Sequence, residues 1–219
     1  MRAMKLRLDS AELADLVCKQ LRSTFQLSGD EERLIVELLP GVLARVVHCF
    51  ERTPNKYYRD DELVKFSPFH SGQYAIFLYF LSRALSLGRQ ADLADRVYFL
   101  NKMLNAVDIY HEVELPSVFF VDHPVGTVLG RARYGEYFSF SQQNTVGNNK
   151  SIYPVIGKNV QMMAGAMILG RCRIGDNVIV SAGCIILDQD VPECAIVFGR
   201  SPDLTIVRKD ASYFSLDGR

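Results

Sequence analysis

The residues from Ile156 onward repeat with a strict period of six. Written in sixes, the stretch reads IGKNVQ, MMAGAM, ILGRCR, IGDNVI, VSAGCI and ILDQDV. A large apolar residue opens every unit, and the fifth place holds Val160, Ala166, Cys172, Val178 and Cys184 in turn. Such a period is typical of a β-helix, in which short strands form the flat faces of a prism and each coil stacks on the last. A β-sandwich would instead show a period of two and irregular turns.

The same period continues upstream, less cleanly. Val128, Tyr134, Phe140 and Val146 follow it, in one of two phases that differ by one residue. The ten-residue step from Val146 to Ile156 contains the extra residues NNKSIYP. We expect this insertion to protrude from the coil as a loop.

The residues before about 107 follow a helical pattern instead. Two capping boxes, Asp9 to Glu12 and Ser28 to Glu31, precede apolar residues spaced three and four apart. Pro40 is expected to end or kink the second helix. Two more helices are expected from about Ser71 to Leu87 and from about Gln90 to Ala106. The polar segment ERTPNKYYRDDE predicts a loop.

Together the two patterns predict an α+β protein, with an N-terminal α-helical domain followed by a parallel β-helix of hexapeptide repeats. We expect the helical domain at 1–106, the β-helix at 107–207 and a C-terminal tail at 208–219. With 219 residues, 48% of them hydrophobic, the chain is long enough to bury a core.

The charge of the chain limits its binding partners, and its cysteines and apolar segments indicate its cellular location. The 25 Lys and Arg residues balance 25 Asp and Glu residues, so no net field favours nucleic acid or an anionic membrane. Five cysteines without a CxxC pair indicate a reducing compartment. The N-terminus lacks the apolar region of a signal peptide, and the longest apolar run, Tyr74 to Leu81, is too short to span a membrane. We therefore expect a cytoplasmic protein with no nucleic-acid partner and no membrane span.

Several motifs carry a resemblance to a known family. They are Val107-Asp108-Ile109, the pair Asp122-His123 before Gly126, the phrase FHSGQY at 69–74 and the phrase VFGRSP at 197–202. The C-terminal half resembles the left-handed β-helix of hexapeptide-repeat acyltransferases. The helices and the segment 107–130 resemble serine acetyltransferase, including the fifteen-residue step from Asp108 to His123. The left-handed sense of the coil is implied by this resemblance alone.

The resemblance implies transfer of an acetyl group from acetyl-CoA to a hydroxyl. His123 would be the general base, and Asp108 would orient it. A neutral imidazole that removes the hydroxyl proton contributes typically ~10²–10⁴-fold, and a carboxylate on its other nitrogen fixes the tautomer. The family also implies a homotrimer in which each acetyl-CoA groove lies between two chains, and no metal cofactor is expected. The cofactor groove would be lined by Ala164, Gly165, Ala182 and Gly183, with Arg200 and Lys209 as candidates for the CoA phosphates.

The sequence departs from the family at the acceptor. Serine acetyltransferases usually place an Arg-His pair before the proline that opens the next coil, to hold the carboxylate of the amino acid. Here Ile152-Tyr153 precede Pro154, so a free carboxylate loses its bidentate partner. The family's aspartate for the serine ammonium has only Asp60 and Asp61 nearby, in poor register. We therefore predict a sugar hydroxyl as the acceptor, with serine as the alternative. The predicted acceptor-binding residues are Asp122, Gln143, Asn144 and Tyr153.

Two other functions fit a β-helix. A metal hydratase of this fold needs three histidines around zinc, and only His111 and His123 fall in the coil region. A non-catalytic trimeric scaffold is the remaining alternative.

Overall fold

The computed structural model describes residues 3–53, 55–59 and 63–215. The chain forms two compact units, one of residues 1–106 with 110–112 and the other of residues 107–109 with 113–219. None of the described helices is long and apolar enough to cross a membrane.

The first unit is helical, as predicted. Its elements are β1 (Ala3–Leu6), α1 (Ser10–Thr24), α2 (Gly29–Phe50), β2 (Leu63–Phe66), α3 (Ser71–Leu87) and α4 (Ala91–Asn105). Both capping boxes form, because Asp9 and Ser28 each accept a hydrogen bond from the backbone N–H of the glutamate three residues later. Helix α2 continues past Pro40 instead of ending there. Helix α3 is buried without interruption from Gly72 to Ser82, so it forms the centre of this unit.

Two short strands were not predicted. Strands β1 and β2 pair in parallel, with Lys5 opposite Lys65 and Leu6 opposite Phe66. Strand β2 follows the segment expected as a loop, whose described part is mainly turns. Asp60 and Asp61, the candidates for the ammonium site, lie outside the described residues.

The second unit is a coil of stacked parallel strands. One face contains β3 (Val107–Ile109), β5 (Thr127–Leu129), β8 (Thr145–Gly147), β11 (Met167–Leu169) and β14 (Ile185–Leu187). A second contains β4 (Phe119–Val121), β7 (Phe138–Phe140), β10 (Val160–Met162), β13 (Val178–Val180) and β15 (Ala195–Arg200). The third contains β6 (Arg133–Tyr134), β9 (Val155–Ile156) and β12 (Arg173–Ile174). Strand β16 (Asp203–Arg208) pairs antiparallel with β15, and a short 3-10 helix (Ala211–Phe214) follows.

The six-residue period sets the register of this coil. Met167 pairs with Ile185, a step of 18 residues or three units of six. Thr145 pairs with Met167, a step of 22, so the insertion adds four residues to its coil. The first and fifth positions of the repeat point inward, and all of them from Ile156 to Ile186 are at most 3% exposed.

At β5 the coil follows the second of the two phases that the sequence left open, one residue away from Val128. Leu129 is 2% exposed and points inward, whereas Val128 is 43% exposed. Because side chains alternate along a strand, this shift turns Val128 to the outer surface of β5. Phe140 and Val146 are buried as expected.

Candidate functional site

One corner of the coil collects most of the predicted site residues. Here the chain turns from β4 to β5, from β7 to β8, from β10 to β11 and from β13 to β14. We refer to residues 122–126, 141–144, 163–166 and 181–184 as the histidine corner. The turns stack through backbone hydrogen bonds: the N–H groups of Gln143, Gly165 and Gly183 donate to the carbonyls of Val125, Gln142 and Ala164, each at 2.9 Å. Because adjacent coils lie ~4.8 Å apart, His123 is roughly 10 to 14 Å along this edge from the glycines of the last two turns.

His123 is presented to solvent by the local backbone. Val121 and Pro124 are buried on either side of it, which fixes the turn. His123 itself has φ +51°, a left-handed conformation that is uncommon for a residue with a Cβ. Its side chain is 78% exposed. Backbone strain of this kind is often associated with a functional site.

Two carboxylates are candidates to orient this imidazole. Asp122 lies beside it, with its Oδ1 3.5 Å from Nε2 of His123. Asp108, the residue predicted for this role, lies on β3 in register with the outward-facing Val128 of β5. Because register partners in a parallel sheet share a face, Asp108 also points to the outer surface, where it is half-buried. The sequence assigned Asp122 to acceptor binding and also offered it as a residue that could share the role of Asp108, and its position beside the imidazole suits that second role.

The four predicted groove residues lie at the histidine corner. Gly165 and Gly183 have φ +71° and +69°, which is why the turns use glycine there. Ala182 and Gly183 are exposed, and Ala164 and Gly165 are half-buried. Small side chains at these four positions leave the outer surface of the corner open to an extended ligand.

Gln143 and Asn144 are neighbours in sequence but have different roles. Gln143 is exposed on the turn that stacks against Val125 and Gly126. Asn144 is fully buried. Its Oδ1 accepts from the N–H of Ser141 at 2.7 Å, and its Nδ2 donates to the carbonyls of Met163 at 2.6 Å and Ala166 at 3.3 Å. Asn144 therefore holds the corner together, and we leave it out of the proposed acceptor site.

Tyr153 lies at a different corner of the coil. The insertion follows β8, so the three residues of that strand separate it from the histidine corner by roughly 10 Å. Ile152 and Tyr153 are 48% and 39% exposed there. Within one chain, the structure does not bring Tyr153 and His123 together.

The two predicted phosphate contacts lie at opposite ends of one strand. Arg200 ends β15 and is paired with Ile185, just past the histidine corner. Lys209 follows β16, its N–H donates to the carbonyl of Cys194 at the other end of β15, and its ammonium lies 5.5 Å from the ring centre of Tyr213. Arg200 is thus the better placed of the two for a ligand on this corner.

His111 belongs to the helical unit and not to the coil region to which the sequence assigned it. It is 3% exposed, and its Nε2 lies 3.0 Å from Oδ1 of Asp95 in α4. Among the described residues, no group of three or more histidine, cysteine or acidic side chains could hold a metal ion. The helical unit also contains an open cavity of about 650 Å³, and none of the predicted site residues lines it.

Comparison with known proteins supports this picture of the coil. The family model "Bacterial transferase hexapeptide (six repeats)" matches residues 153–188. A serine acetyltransferase of Synechococcus elongatus is 36% identical over 104 residues, which are 45% of this chain and 42% of that relative. The chain spans less than two thirds of the length of the first curated relatives that it matches.

Solved structures extend the similarity to nearly the whole chain. The serine acetyltransferase of Brucella abortus strain S19 has a TM-score of 0.72 at 24% identity, covering 92% of this chain and 84% of that one. The Neisseria gonorrhoeae serine acetyltransferase in complex with serine has a TM-score of 0.67 at 26% identity, covering 85% and 81%. The predicted fold class and the predicted resemblance to serine acetyltransferase-like hexapeptide-repeat proteins are confirmed.

Proposed function

We propose that the protein is an acetyl-CoA-dependent O-acetyltransferase. The observation that carries the proposal is the histidine corner, where an exposed His123 lies two and three turns along one edge from a strip of small residues. This is the arrangement expected when a base and an extended thioester cofactor share a surface. The resemblance in sequence to proteins named serine acetyltransferase supports the same reaction.

The proposed chemistry needs one base and no covalent enzyme intermediate. One ring nitrogen of His123 removes the acceptor's hydroxyl proton while the hydroxyl oxygen attacks the thioester carbonyl. The C–S bond then breaks, the CoA sulfur receives the proton that His123 took and leaves as the thiol, and the acetyl ester remains on the acceptor. A carboxylate at the other ring nitrogen stabilises the imidazolium that forms, a role for Asp108 or Asp122. Backbone N–H groups of the turns are suited to stabilise the oxyanion.

We propose L-serine as the first acceptor to test, which replaces the sugar favoured by the sequence. The relatives are named serine acetyltransferases, and the Neisseria gonorrhoeae protein was solved with serine. One observation keeps a sugar hydroxyl as the second candidate. Ile152 and Tyr153 stand where the resemblance places an Arg-His pair, and neither pairs with a carboxylate as arginine does.

An acceptor panel tests the proposal. Purified protein is incubated with acetyl-CoA and either L-serine, D-serine, free hexoses or nucleotide sugars, and thiol release is measured against a no-acceptor control. We expect L-serine to give the highest kcat/KM, at least about tenfold above every sugar. The reverse order would shift the assignment to the second candidate. Thiol release that no acceptor increases would contradict acetyl transfer altogether.

A homotrimer is part of the same proposal. Exposed apolar residues follow the outer coil surface, including Val128, Val155, Leu187 and Phe198. Burial of such residues between chains would stabilise an assembly, and a trimer would also allow the Tyr153 corner of one chain to approach the histidine corner of the next. Sedimentation at micromolar concentration should give a trimer, and an active monomer would contradict this. The cytoplasmic location stays a prediction.

A further inference from the structure

The insertion forms a tight hairpin with an unusual turn. We refer to residues 148–153 as the insertion hairpin. The N–H of Asn149 donates to the carbonyl of Ile152 at 3.1 Å, and the N–H of Ile152 donates back at 2.9 Å. The two residues between them, Lys150 and Ser151, have φ +51° and +62°. This is the type I′ geometry, which normally selects Asn or Gly, so both residues pay a conformational cost.

A side-chain bond fixes the base of this hairpin to the coil. Nδ2 of Asn149 donates to Oδ2 of Asp188 at 2.5 Å. The other oxygen of Asp188 accepts from the N–H of Arg171 at 2.8 Å. Two hydrogen bonds lower the pKa of the Asp188 carboxyl below its usual range: the larger effect comes from the backbone N–H of Arg171 and the smaller from the side chain of Asn149. The carboxylate is therefore charged at neutral pH.

The bond spans one intervening coil. Gly170 lies between the two partners, and a Cβ there would be 2.1 Å from Oδ1 of Asp188 and 2.7 Å from Cβ of Asn149. Only a residue without a side chain leaves room for Asn149 and Asp188 to meet over it. Three coils therefore supply one residue each to this contact, which indicates a specific arrangement and not a chance surface pair.

We propose that Asn149 and Asp188 are positioning residues for acceptor recognition, because their bond holds the insertion hairpin in the conformation that presents Tyr153. The inference rests on the proposed function and its trimer, in which Tyr153 of one chain approaches the histidine corner of the next. The hydrogen bond to Asp188 anchors Asn149 at the base of the hairpin, and so opposes any rearrangement of the strained turn at Lys150 and Ser151. Loss of the bond should therefore weaken acceptor binding and leave the His123 chemistry unchanged.

Exchanging the amide at position 149 and the carboxylate at position 188 tests the proposal directly. Asn149→Asp places two carboxylates face to face and breaks the bond. The double variant Asn149→Asp/Asp188→Asn restores it with donor and acceptor reversed, while the amide oxygen at 188 still accepts from Arg171. Asp176→Asn is the matched control, because Asp176 accepts from the N–H of Lys158 at 2.7 Å over Gly157 in a turn that carries no insertion.

Two readouts separate this inference from the proposed function. We expect Asn149→Asp to raise the acceptor KM by about tenfold with kcat and the KM for acetyl-CoA within about twofold, and the double variant to restore it. Amide exchange at Ile152 should accelerate in Asn149→Asp only. An unchanged exchange rate, or an acceptor KM that the double variant fails to restore, would overturn the inference. If the wild type transfers no acetyl group, the proposed function and the acceptor role both fail. Amide hydrogen exchange at Ile152 then still decides whether the hydrogen bond between Asn149 and Asp188 holds the insertion hairpin.

Discussion

The two units of this chain use their side chains differently. In the helical unit, α3 is surrounded by residues from distant parts of the sequence, and its Tyr74 hydroxyl donates to Oε1 of Gln20, 54 residues away, at 2.5 Å. In the coil, apart from the antiparallel pair of β15 and β16 at its end, strands pair only with the coil before and the coil after. The helical unit therefore relies on large interlocking side chains, whereas the coil relies on repeated backbone geometry with one narrow apolar interior.

This difference explains where the candidate chemistry lies. The coil fills its interior with the first and fifth residues of each repeat, and its corners need only particular backbone angles. Outer residues of the corners are therefore open to substitution without loss of the core. His123, with its positive φ and exposed ring, is such a residue.

The largest expected effect is a loss of activity on substitution of a histidine in the coil, but not of one in the helical unit. His123→Ala should lower kcat by about two to four orders of magnitude, because the acceptor hydroxyl loses its base. Acetyl-CoA binding, measured by calorimetry, should be nearly unchanged. His48→Ala in the helical unit serves as the control and should retain activity within about twofold. Full activity of His123→Ala would remove the histidine corner from consideration as the site.

Truncation of one buried side chain in each unit tests how far the loss of stability spreads from the substituted residue. Leu78→Ala in α3 and Ile168→Ala in β11 each remove a fully buried side chain, so each should lower the free energy of unfolding by about 2–5 kcal/mol. Ile168 stacks on Val146 and Ile186 in register. Amide exchange should therefore increase mainly in the coils around Ile168, but throughout the helical unit for Leu78→Ala. Equal spread of the effect in both variants would contradict the comparison.

Replacing a glycine with alanine should have opposite effects on stability in the two units. A Cβ on Gly157 would lie 2.7 Å from the backbone of Gly175 in the next coil, so Gly157→Ala should destabilise by about 1–3 kcal/mol. A Cβ on Gly41 in α2 meets nothing within 4 Å. Gly41→Ala should stabilise by about 0.5–1 kcal/mol, because alanine has the higher helix propensity. Thermal unfolding measures both, and a neutral Gly157→Ala would show that the coils can separate locally.

The smallest effect concerns acid stability of the helical unit. The pKa of Glu31 is lowered from 4.5 to about 2, mainly by the hydrogen bond from the Arg96 guanidinium and secondly by the hydrogen bond from the backbone N–H of Ser28. A lowered folded-state pKa stabilises the fold above pH 4.5, and the contribution disappears as the pH falls from 4.5 to about 2. Glu31→Gln should therefore cost about 1 kcal/mol or less at pH 7, since both partners contact water. The difference in melting temperature from wild type should vanish near pH 2, and a constant difference would contradict this assignment.

The sequence predicted most of the fold because periodicity reports burial directly. Capping boxes located two helices, and the six-residue repeat located the interior of the coil from Ile156 onward. The sequence left two phases open at β5, because Val128 and Leu129 are both apolar and only packing distinguishes them. Strands β1 and β2, four residues each, are too short for a pattern to appear.

The candidate site was harder to predict, because it depends on which turns stack. Ala164, Gly165, Ala182 and Gly183 share an edge with His123, and their role in binding acetyl-CoA stays a prediction. Asn144 was read as a pocket residue because a polar side chain in a turn is usually exposed, yet this one bonds three backbone groups inside the corner. The separation of Tyr153 from His123 depends on strand β8, and no local sequence signal reports it.

The insertion hairpin leaves the coil and returns to it without disturbing the strands on either side. Strand β8 keeps its pairing with β5 and β11, and β9 keeps its pairing with β6 and β12. Residues 150–153 can therefore change in length and composition while the strands and the contact between Asn149 and Asp188 keep their place. In evolutionary terms the loop is a replaceable module, because its residues can be exchanged without altering the strands that hold the histidine corner.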